Sequence, residues 1–335
     1  QASSGFLVDR VGARPVLFSS IALFAGAALV ASLAQGYASL VVVALMAGLG
    51  NAPFHPVDFS ILNQRVSPSR LGYAFSAHGL TGNLGWALAP VFLVGITTME
   101  NWRTAYASAA MLYVLVFVFF WWNRQHLHTE VLQRHRGGSG PSDLSYLRLP
   151  VVWWCFAFFL LSTMTLAVVQ TYATSILKAV HGVGYEAATL AITSYMLCGA
   201  LGMFVGGVVA ARTRLSEQVV AWAMGAGAVL LGLCATGWLG GQGTMVVLAA
   251  TGFAIGIGGP SRDMMIKRAT PKGATGRVYG TVYSGLDVGF AVSPVLFGAM
   301  MDRGWYAATL AGAGLVLAAS VGVALGVGRR TQQQT

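Results

Sequence analysis

Residues 5–14 of the chain read GFLVDRVGAR, and residues 16–34 read VLFSSIALFAGAALVASLA. The second stretch is close to the length of about 20 apolar residues that a helix needs to cross a membrane. The first stretch places Arg10 and Arg14 just before that apolar run. Because basic residues beside a spanning helix mark the cytoplasmic side of a membrane, this pair indicates how the rest of the chain is organised.

The composition of the whole chain is that of a membrane protein. Charged residues make up 9% of the 335 residues and hydrophobic residues 56%, whereas soluble domains have about 25% charged residues. The net charge of +10 does not indicate nucleic acid binding, because the basic residues lie in short clusters between apolar runs rather than in one patch. We therefore predict an all-α integral membrane protein.

Ten segments are long and apolar enough to span a bilayer. Their frequent glycines favour close helix packing in a membrane. The predicted spans are 16–34, 39–62, 72–96, 102–122, 151–177, 187–211, 218–238, 244–266, 278–300 and 305–328.

The loops between these spans alternate in charge. One set carries seventeen of the 20 Lys and Arg residues, and the other carries only Arg103, Lys178 and Arg303. The positive-inside rule makes the basic side cytoplasmic, together with both ends of this chain. We expect a multi-pass protein of a cell membrane, in a bacterium the inner membrane.

An internal repeat appears when the sequence is shifted by 204 residues. Glycines and prolines coincide, and Asn83 falls on Asp287. The coinciding pairs are Gly48 and Gly252, Pro56 and Pro260, Gly72 and Gly276, Gly85 and Gly289, and Pro90 and Pro294. The shift maps the second and third spans onto the eighth and ninth, so the repeat is six spans long. A native protein of twelve spans is predicted, with two spans before Gln1.

This repeat predicts the domain organisation. Residues 1–122 would form an N-terminal bundle without its first two helices, and 151–328 a C-terminal six-helix bundle. Residues 123–150 are polar and rich in glycine, which is typical of a linker, here cytoplasmic. Residues 329–335 would form a cytoplasmic tail.

The stretch Gly5 to Arg14 resembles the loop signature of the major facilitator superfamily, in which a glycine is followed by Asp-Arg and then by glycine and basic residues. One family position that is usually basic is Ala13 here. The second-half counterpart, Gly207 to Arg214, has Ala211 in place of the aspartate.

A second stretch, residues 48–56 reading GLGNAPFHP, with residues 82–85 reading GNLG and Pro90, is similar to the fosmidomycin-resistance-type branch of that superfamily. Many members carry an arginine four residues before the glycine that matches Gly48. That position is Ala44 here, so a proton-coupling role for that arginine does not carry over.

The resemblance implies a two-bundle secondary transporter that opens a central cavity alternately to each side of the membrane. In the family the cavity is lined by helices that correspond here to 39–62, 151–177 and 244–266. We expect a monomer without a cofactor that moves a small solute, either a drug-like molecule in efflux or a small organic metabolite. Transport would be driven by a proton or cation gradient, as symport or antiport.

Two other classes of function are weighed against transport. A transporter-like membrane sensor without flux fits the same sequence. A membrane-embedded enzyme fits poorly, because the chain has no grouping of Ser, His and Asp, no paired carboxylates and no phosphate-binding glycine loop. No catalytic or metal site is predicted, and Cys155, Cys198 and Cys234 are interpreted as small apolar residues.

Polar residues inside predicted spans are the candidate cavity residues, since such residues are costly in a bilayer. Asp287 is the foremost candidate for ion coupling, although a structural carboxylate bonded to a neighbouring helix fits equally well. The other candidates for the cavity or for coupling are Asn83, Asn51, His55, Gln170, Tyr195 and Trp86. His55, followed by Pro56, could instead mark a helix kink.

Charged residues near the cytoplasmic ends of spans predict a gate. Asn51, His55 and Asp58 are spaced to share one helix face, and the repeat places Arg262 opposite Asp58 as a gate partner. Alternatively, both charges are simply solvated.

In the family, the signature carboxylate braces the two halves by pairing with a helix start. Asp9 would accept hydrogen bonds from backbone N–H groups near Gly276 and Arg277, with Arg65 or Arg70 as charge partner. Arg10 and Arg14 belong to the same stretch. The alternative is that Asp9 only caps its own loop.

Overall fold

The computed structural model describes residues 1–130, 144–213, 215–271 and 273–332. Most of these residues lie in α-helices. The helices are α1 (Ala2–Val11), α2 (Ala13–Ser32), α3 (Tyr37–Asn51), α4 (Phe54–Arg65), α5 (Leu71–Met99), α6 (Trp102–Trp122), α7 (Pro150–His181), α8 (Tyr185–Arg212), α9 (Ser216–Ala235), α10 (Gly240–Ala269), α11 (Thr275–Asp302) and α12 (Tyr306–Gln332).

Within the described ranges, ten helical segments are long and apolar enough to cross a membrane, which confirms the predicted number and the all-α membrane fold. One of them, Tyr37–Arg65, contains both α3 and α4. Residues 131–143 of the predicted linker lie outside the described residues, and short 3-10 turns flank this gap at Arg124–Leu127 and Ser145–Arg148.

The stretch that we interpreted as the first loop is mainly helical. Helix α1 runs through Ala2–Val11, and Gly12 alone separates it from α2, with a φ of 88° that favours glycine. Gly5 and Val8 are buried on one side of α1, three residues apart. Packing of that face therefore stabilises a helix where the glycine and charge pattern indicated a loop.

The second span is broken between α3 and α4 by two prolines. Proline has no backbone N–H, so Pro56 cannot donate to the carbonyl of Ala52, and Pro53 cannot donate to that of Leu49. The hydroxyl of Ser4 lies 2.9 Å from the Ala52 oxygen and 2.7 Å from the Gln1 oxygen. The one hydroxyl hydrogen of Ser4 is shared between these two carbonyl oxygens, so Ala52 receives part of a donor that the helix itself lacks.

Contacts between Cα atoms group the chain into two compact units. Unit 1 takes residues from Gln1–Ser67, from the segment that begins at Gly85, and from Pro271–Thr281. Unit 2 takes residues from Pro68–Leu84, from Leu144–Thr270, and from the segment that begins at Val282. Helices α5 and α11 each contribute to both units, and the predicted bundles 1–122 and 151–328 stay a prediction.

Unit 1 is built around α2, which packs against α3 and α6. Its core joins buried side chains from α1, α2 and α4, namely Val8, Ala13, Val16, Leu17, Ile21 and Val57. The core is small and aliphatic. Aromatic rings of α6 cover one side of it, and the ring centroid of Phe117 lies 5.0 Å from that of Phe18 in an edge-to-face arrangement.

Unit 2 centres on the pair α8 and α10, which approach each other through glycines. A Cβ on Gly202 or Gly206 would collide with the carbonyl oxygen of Phe253 or Ile257 in α10. Reciprocally, Gly252 and Gly256 face the carbonyl oxygens of Tyr195 and Gly199. The two backbones therefore touch directly, as small residues allow in membranes.

Gly206→Ala is expected to destabilise unit 2. The added methyl group would meet backbone atoms of Ile257, which cannot rotate away, so the helices must separate at a cost of about 1–3 kcal/mol. The measurement is the thermal unfolding midpoint in detergent. Gly322→Ala in α12 is the control, because a Cβ there meets nothing within 4 Å. Equal midpoints for the two variants would contradict the close contact.

Candidate functional site

The carboxylate of Asp9 binds the start of α11 in unit 1. Its Oδ1 accepts from the Gly276 N–H at 2.8 Å, and its Oδ2 accepts from the Arg277 N–H at 3.1 Å and from the Arg277 Nε–H at 2.9 Å. The first N–H groups of a helix have no partner inside the helix and carry a partial positive charge. The carboxylate therefore satisfies two such donors and one guanidinium donor.

Glycines allow this approach. A Cβ on Gly5 would overlap the carbonyl oxygen of Gly276, and a Cβ on Gly276 would lie 2.6 Å from the Asp9 Oδ1. Only residues without a side chain let α1 and the start of α11 meet closely enough for Asp9 to reach. The glycine and the aspartate of the signature thus serve the same contact.

The first turns of α11 have a second anchor on α4. The ring of Tyr279 is fully buried and stacks on Phe59 with 4.5 Å between ring centroids. The Asn63 Nδ2 lies 3.4 Å from the Tyr279 hydroxyl. One polar contact and one aromatic contact thus hold the same end of α11 within unit 1.

The contact with Asp9 is largely shielded from water. The side chains of Asp9 and Arg277 are 13% and 20% exposed. Burial raises the pKa of the Asp9 carboxyl above its ordinary value, while the hydrogen bonds and the charge of Arg277 and the N–H of Gly276 oppose part of that rise. The contact therefore balances the cost of desolvation against charge-assisted hydrogen bonds.

The charge partner of Asp9 is Arg277, so Arg65 and Arg70 were the wrong expectation. The guanidinium of Arg65 instead donates to the carbonyls of His128 at 2.7 Å and Gln125 at 3.2 Å. It is thus bound to the chain after α6. Within α1 and α2, Arg10 is exposed and Arg14 half-buried.

The break between α3 and α4 also falls within the polar face predicted around His55. Asn51 is exposed at the last position of α3, while His55 and Asp58 are half-buried in α4. A shared face for all three needs the helical path to continue through the turn at residues 52–53, where both residues keep right-handed helical dihedral angles, so the shared face stays a prediction. His55 and Asp58, three residues apart in α4, still lie on neighbouring faces.

Unit 2 contains a buried charged cluster that sequence reasoning missed. Arg262 donates from Nε to the Asp263 Oδ1 at 2.9 Å and from Nη2 to Oδ2 at 3.3 Å, and the Tyr283 hydroxyl donates to the same Oδ1 at 3.0 Å. The guanidinium lies 4.8 Å from the Phe159 ring centroid. The Asp263 side chain is buried, with 3% of its surface exposed. The sequence feature that could have indicated this cluster is the adjacent Arg262 and Asp263 inside an apolar span.

Arg262 is thus bound to Asp263 within unit 2. Its predicted gate partner, Asp58, belongs to unit 1, so the pair stays a prediction. Asp287 is exposed in α11, in the part of that helix that belongs to unit 2.

The remaining candidates are spread over unit 2 and α5. Asn83 Nδ2 lies 3.5 Å from the Met203 sulfur, and Gln170 Nε2 lies 3.9 Å from the Met196 sulfur, both weak acceptors. Trp86 is 72% exposed, whereas Tyr195 is 4% exposed where α8 packs on α10. Tyr195 is buried in this structure, so its contact with a solute stays a prediction.

A contact of the same form, but without a carboxylate, occurs in unit 2. There Gly72, the repeat counterpart of Gly276, lies against the backbone of Ala211, the residue that replaces the signature aspartate. Gly207 lies against Ser76, whose hydroxyl donates to the Met203 carbonyl at 2.7 Å. Both units thus contain a close approach of two helices at glycines, but only the contact in unit 1 includes the carboxylate of an aspartate.

Comparison with known proteins identifies the family of the chain. The family model of the Major Facilitator Superfamily matches residues 1–259. A probable sulfoacetate transporter of Cupriavidus necator is 21% identical over 328 residues, covering 90% of this chain and 75% of that protein. A probable L-galactonate transporter of Escherichia coli is 19% identical, covering 62% of this chain and 49% of that protein. A multidrug resistance protein B homolog of Mycobacterium tuberculosis is 26% identical, covering 34% of this chain and 23% of that protein.

Solved structures show the same fold. The fucose:proton symporter of E. coli superposes with a TM-score of 0.74 at 16% identity, covering 97% of this chain and 86% of that one. A proton:xylose symporter gives 0.72 at 14% identity, covering 96% of this chain and 81% of that one. The similarity to the fosmidomycin-resistance-type branch stays a prediction. Because the family model matches most of the chain, the protein is a multi-pass membrane transporter, not an enzyme, and belongs to the major facilitator superfamily.

Proposed function

We propose that the protein is a secondary active transporter that moves a small organic solute by alternating access, driven by a proton gradient. The observation that carries this proposal is the contact of Asp9 with the start of α11. A charge at a helix terminus contributes about 0.3–2 kcal/mol. Such a contact biases two conformations without locking either one, and it can break once in every transport cycle.

Asp287 is proposed as the coupling residue. It is a carboxylate in α11, a helix with the length and hydropathy of a membrane span, and its side chain is exposed. Carboxylates within spans are typical of proton relays, because a bilayer favours their neutral form. Reversible protonation of Asp287 would couple the proton to the solute.

The proposed substrate class is a small organic acid anion. Two relatives are named for sulfoacetate and L-galactonate, both acid anions, and the first alignment covers 90% of this chain. Transport of drug-like molecules is the second candidate, favoured by the match to a multidrug resistance protein over a third of the chain. The remaining proposed cavity contacts are Asn51, His55, Asn83, Gln170, Trp86 and Tyr195.

The proposed cytoplasmic gate joins Asp58 and Arg262 to the contact of Asp9 with Gly276 and Arg277. We further propose a monomer in a bacterial inner membrane, with both ends of this chain in the cytoplasm, as the basic loops indicate.

The decisive experiment is solute flux into proteoliposomes that hold the full-length product of the gene, under an imposed pH gradient. Radiolabelled sulfoacetate, L-galactonate and a lipophilic cation dye are compared, with and without a protonophore. Gradient-dependent uptake of an acid anion supports the proposal. Transport of the dye alone would favour drug efflux, and no flux of any compound would favour a sensor.

Asp287→Asn is expected to abolish gradient-driven accumulation, because an amide cannot take up and release the proton. The measurements are accumulation under the pH gradient and the thermal unfolding midpoint, which should change little. Asp302→Asn is the control, since Asp302 is an exposed carboxylate at the end of the same helix. Unchanged accumulation in Asp287→Asn would reject the coupling role.

Asp9→Asn is expected to shift the population towards the state in which α1 and the start of α11 have separated. An amide has no charge for the helix start or for Arg277, and a loss of about 0.3–1 kcal/mol changes the population ratio about two- to fivefold. The measurement is the distance between spin labels at Leu7 and Pro271, which are both exposed.

The control for this variant is Glu130→Gln, which removes an exposed carboxylate elsewhere in unit 1. It should leave the distance distribution as in the wild type. If Asp9→Asn also leaves the distribution unchanged, the contact does not set the conformational equilibrium.

A further inference from the structure

A cavity of about 170 Å³ lies within unit 2, between the last turns of α7 and α9 and the first turns of α10 and α12. One wall is a stripe of α7, formed by Ala173, Ile176, Leu177 and Val180 at helical spacing. Leu248, Ala307 and Leu310 complete an apolar lining. The surrounding turns belong to the loops with few basic residues, so the positive-inside rule puts this cavity near the outer surface.

The cavity has one polar end, formed by His181 and Thr244, with the thiol of Cys234 beside them. The Thr244 Oγ1 lies 2.7 Å from the Gly240 carbonyl and 3.2 Å from the His181 Nε2. A hydroxyl has one hydrogen, and the shorter contact is to an oxygen that can only accept. The Thr244 hydroxyl therefore donates to Gly240 and accepts from the Nε2–H of His181.

This arrangement fixes the tautomer of the neutral imidazole. With the hydrogen on Nε2, the Nδ1 of His181 is an acceptor, and the Thr244 oxygen keeps a second lone pair. The Cys234 sulfur lies 3.9 Å from the Thr244 carbonyl oxygen, so the thiol is directed to the backbone. The residues that line the polar end of the cavity thus carry acceptors, which suit a ligand that brings a hydroxyl donor.

The size of the cavity sets the size of the ligand. An apolar protein cavity of roughly 150 Å³ stays dry and takes up benzene. A cavity of about 170 Å³ with one polar end has room for a benzene-sized ring and one hydroxyl group. Burial of the ring would supply the affinity, and the histidine would select the hydroxyl.

We propose that this cavity is a binding site for small neutral phenols and alcohols of similar size, separate from the sites proposed for solute and proton. The separation rests on the lining of the cavity. Gln170 precedes the stripe from Ala173 to Val180 along α7 and does not line the cavity, and its amide contacts Met196 of α8. Every residue that lines the cavity belongs to unit 2.

The test is equilibrium binding of radiolabelled phenol to the purified full-length protein in detergent, with competition by unlabelled phenol and by toluene. Because the readout is binding, its outcome does not depend on transport or on the identity of the transported solute. Ala173→Leu places three further carbon atoms in the cavity. Saturable binding to the wild type that is lost in Ala173→Leu is the expected result.

Ala307→Phe and Ala308→Phe form a matched pair in the first turn of α12, for the case that Ala173→Leu does not fold. Both positions are exposed, but only Ala307 lines the cavity. Binding should be lost in Ala307→Phe and kept in Ala308→Phe. Equal binding to both variants, or binding that does not saturate, would show partition into the micelle and overturn the site.

His181→Phe tests whether His181 binds the hydroxyl group of the ligand. It keeps an aromatic ring at the end of the cavity but removes the acceptor. The affinity of phenol relative to toluene should fall about two- to tenfold, the range of one hydrogen bond. An unchanged ratio with saturable binding would overturn the selection of phenols by His181 and leave an unselective apolar cavity.

Discussion

The structure depends on one constraint, which is that a backbone N–H or C=O group inside a bilayer must find its partner within the protein. Helices meet this constraint along their length, and only their ends and breaks leave groups unpaired. The break at Pro53 and Pro56 and the start of α11 are two such places. At the first, the hydroxyl of Ser4 reaches the Ala52 carbonyl, and at the second, Asp9 accepts from Gly276 and Arg277. Both side chains come from α1, so one short helix satisfies groups on two longer ones.

The spans and the contact of Asp9 with the start of α11 could be predicted because each depends on a few residues with a strong physical signal. Long apolar runs and the charge bias of the loops indicate ten spans, and an aspartate between glycines indicates a place where a carboxylate can come close to a backbone. Where Asp9 binds was inferred from the resemblance to a family. The chemistry at the contact point, two N–H groups without partners inside the helix, explains why a carboxylate belongs there.

Other features could not be predicted, for reasons that lie in packing. Helix α1 was read as a loop because its glycines and charges are those of a loop, and only burial of Gly5 and Val8 makes it helical. The sequence does not show that the guanidinium of Arg65 binds backbone carbonyls after α6. It therefore could not show that Arg277, rather than Arg65, is the charge partner of Asp9. The cluster of Arg262, Asp263 and Tyr283 joins residues twenty positions apart on different helices, which spacing alone does not reveal.

The direct backbone contact between α8 and α10 has a consequence for how unit 2 moves. An interface of side chains can adjust by changing rotamers, so its two helices can slide a little past each other. Gly202, Gly206, Gly252 and Gly256 have no rotamers, and the carbonyls they face are fixed in their helices. Sliding would have to lift one backbone over the other. The two helices should therefore move as one rigid body, and a probe attached to either of them would report the displacement of both.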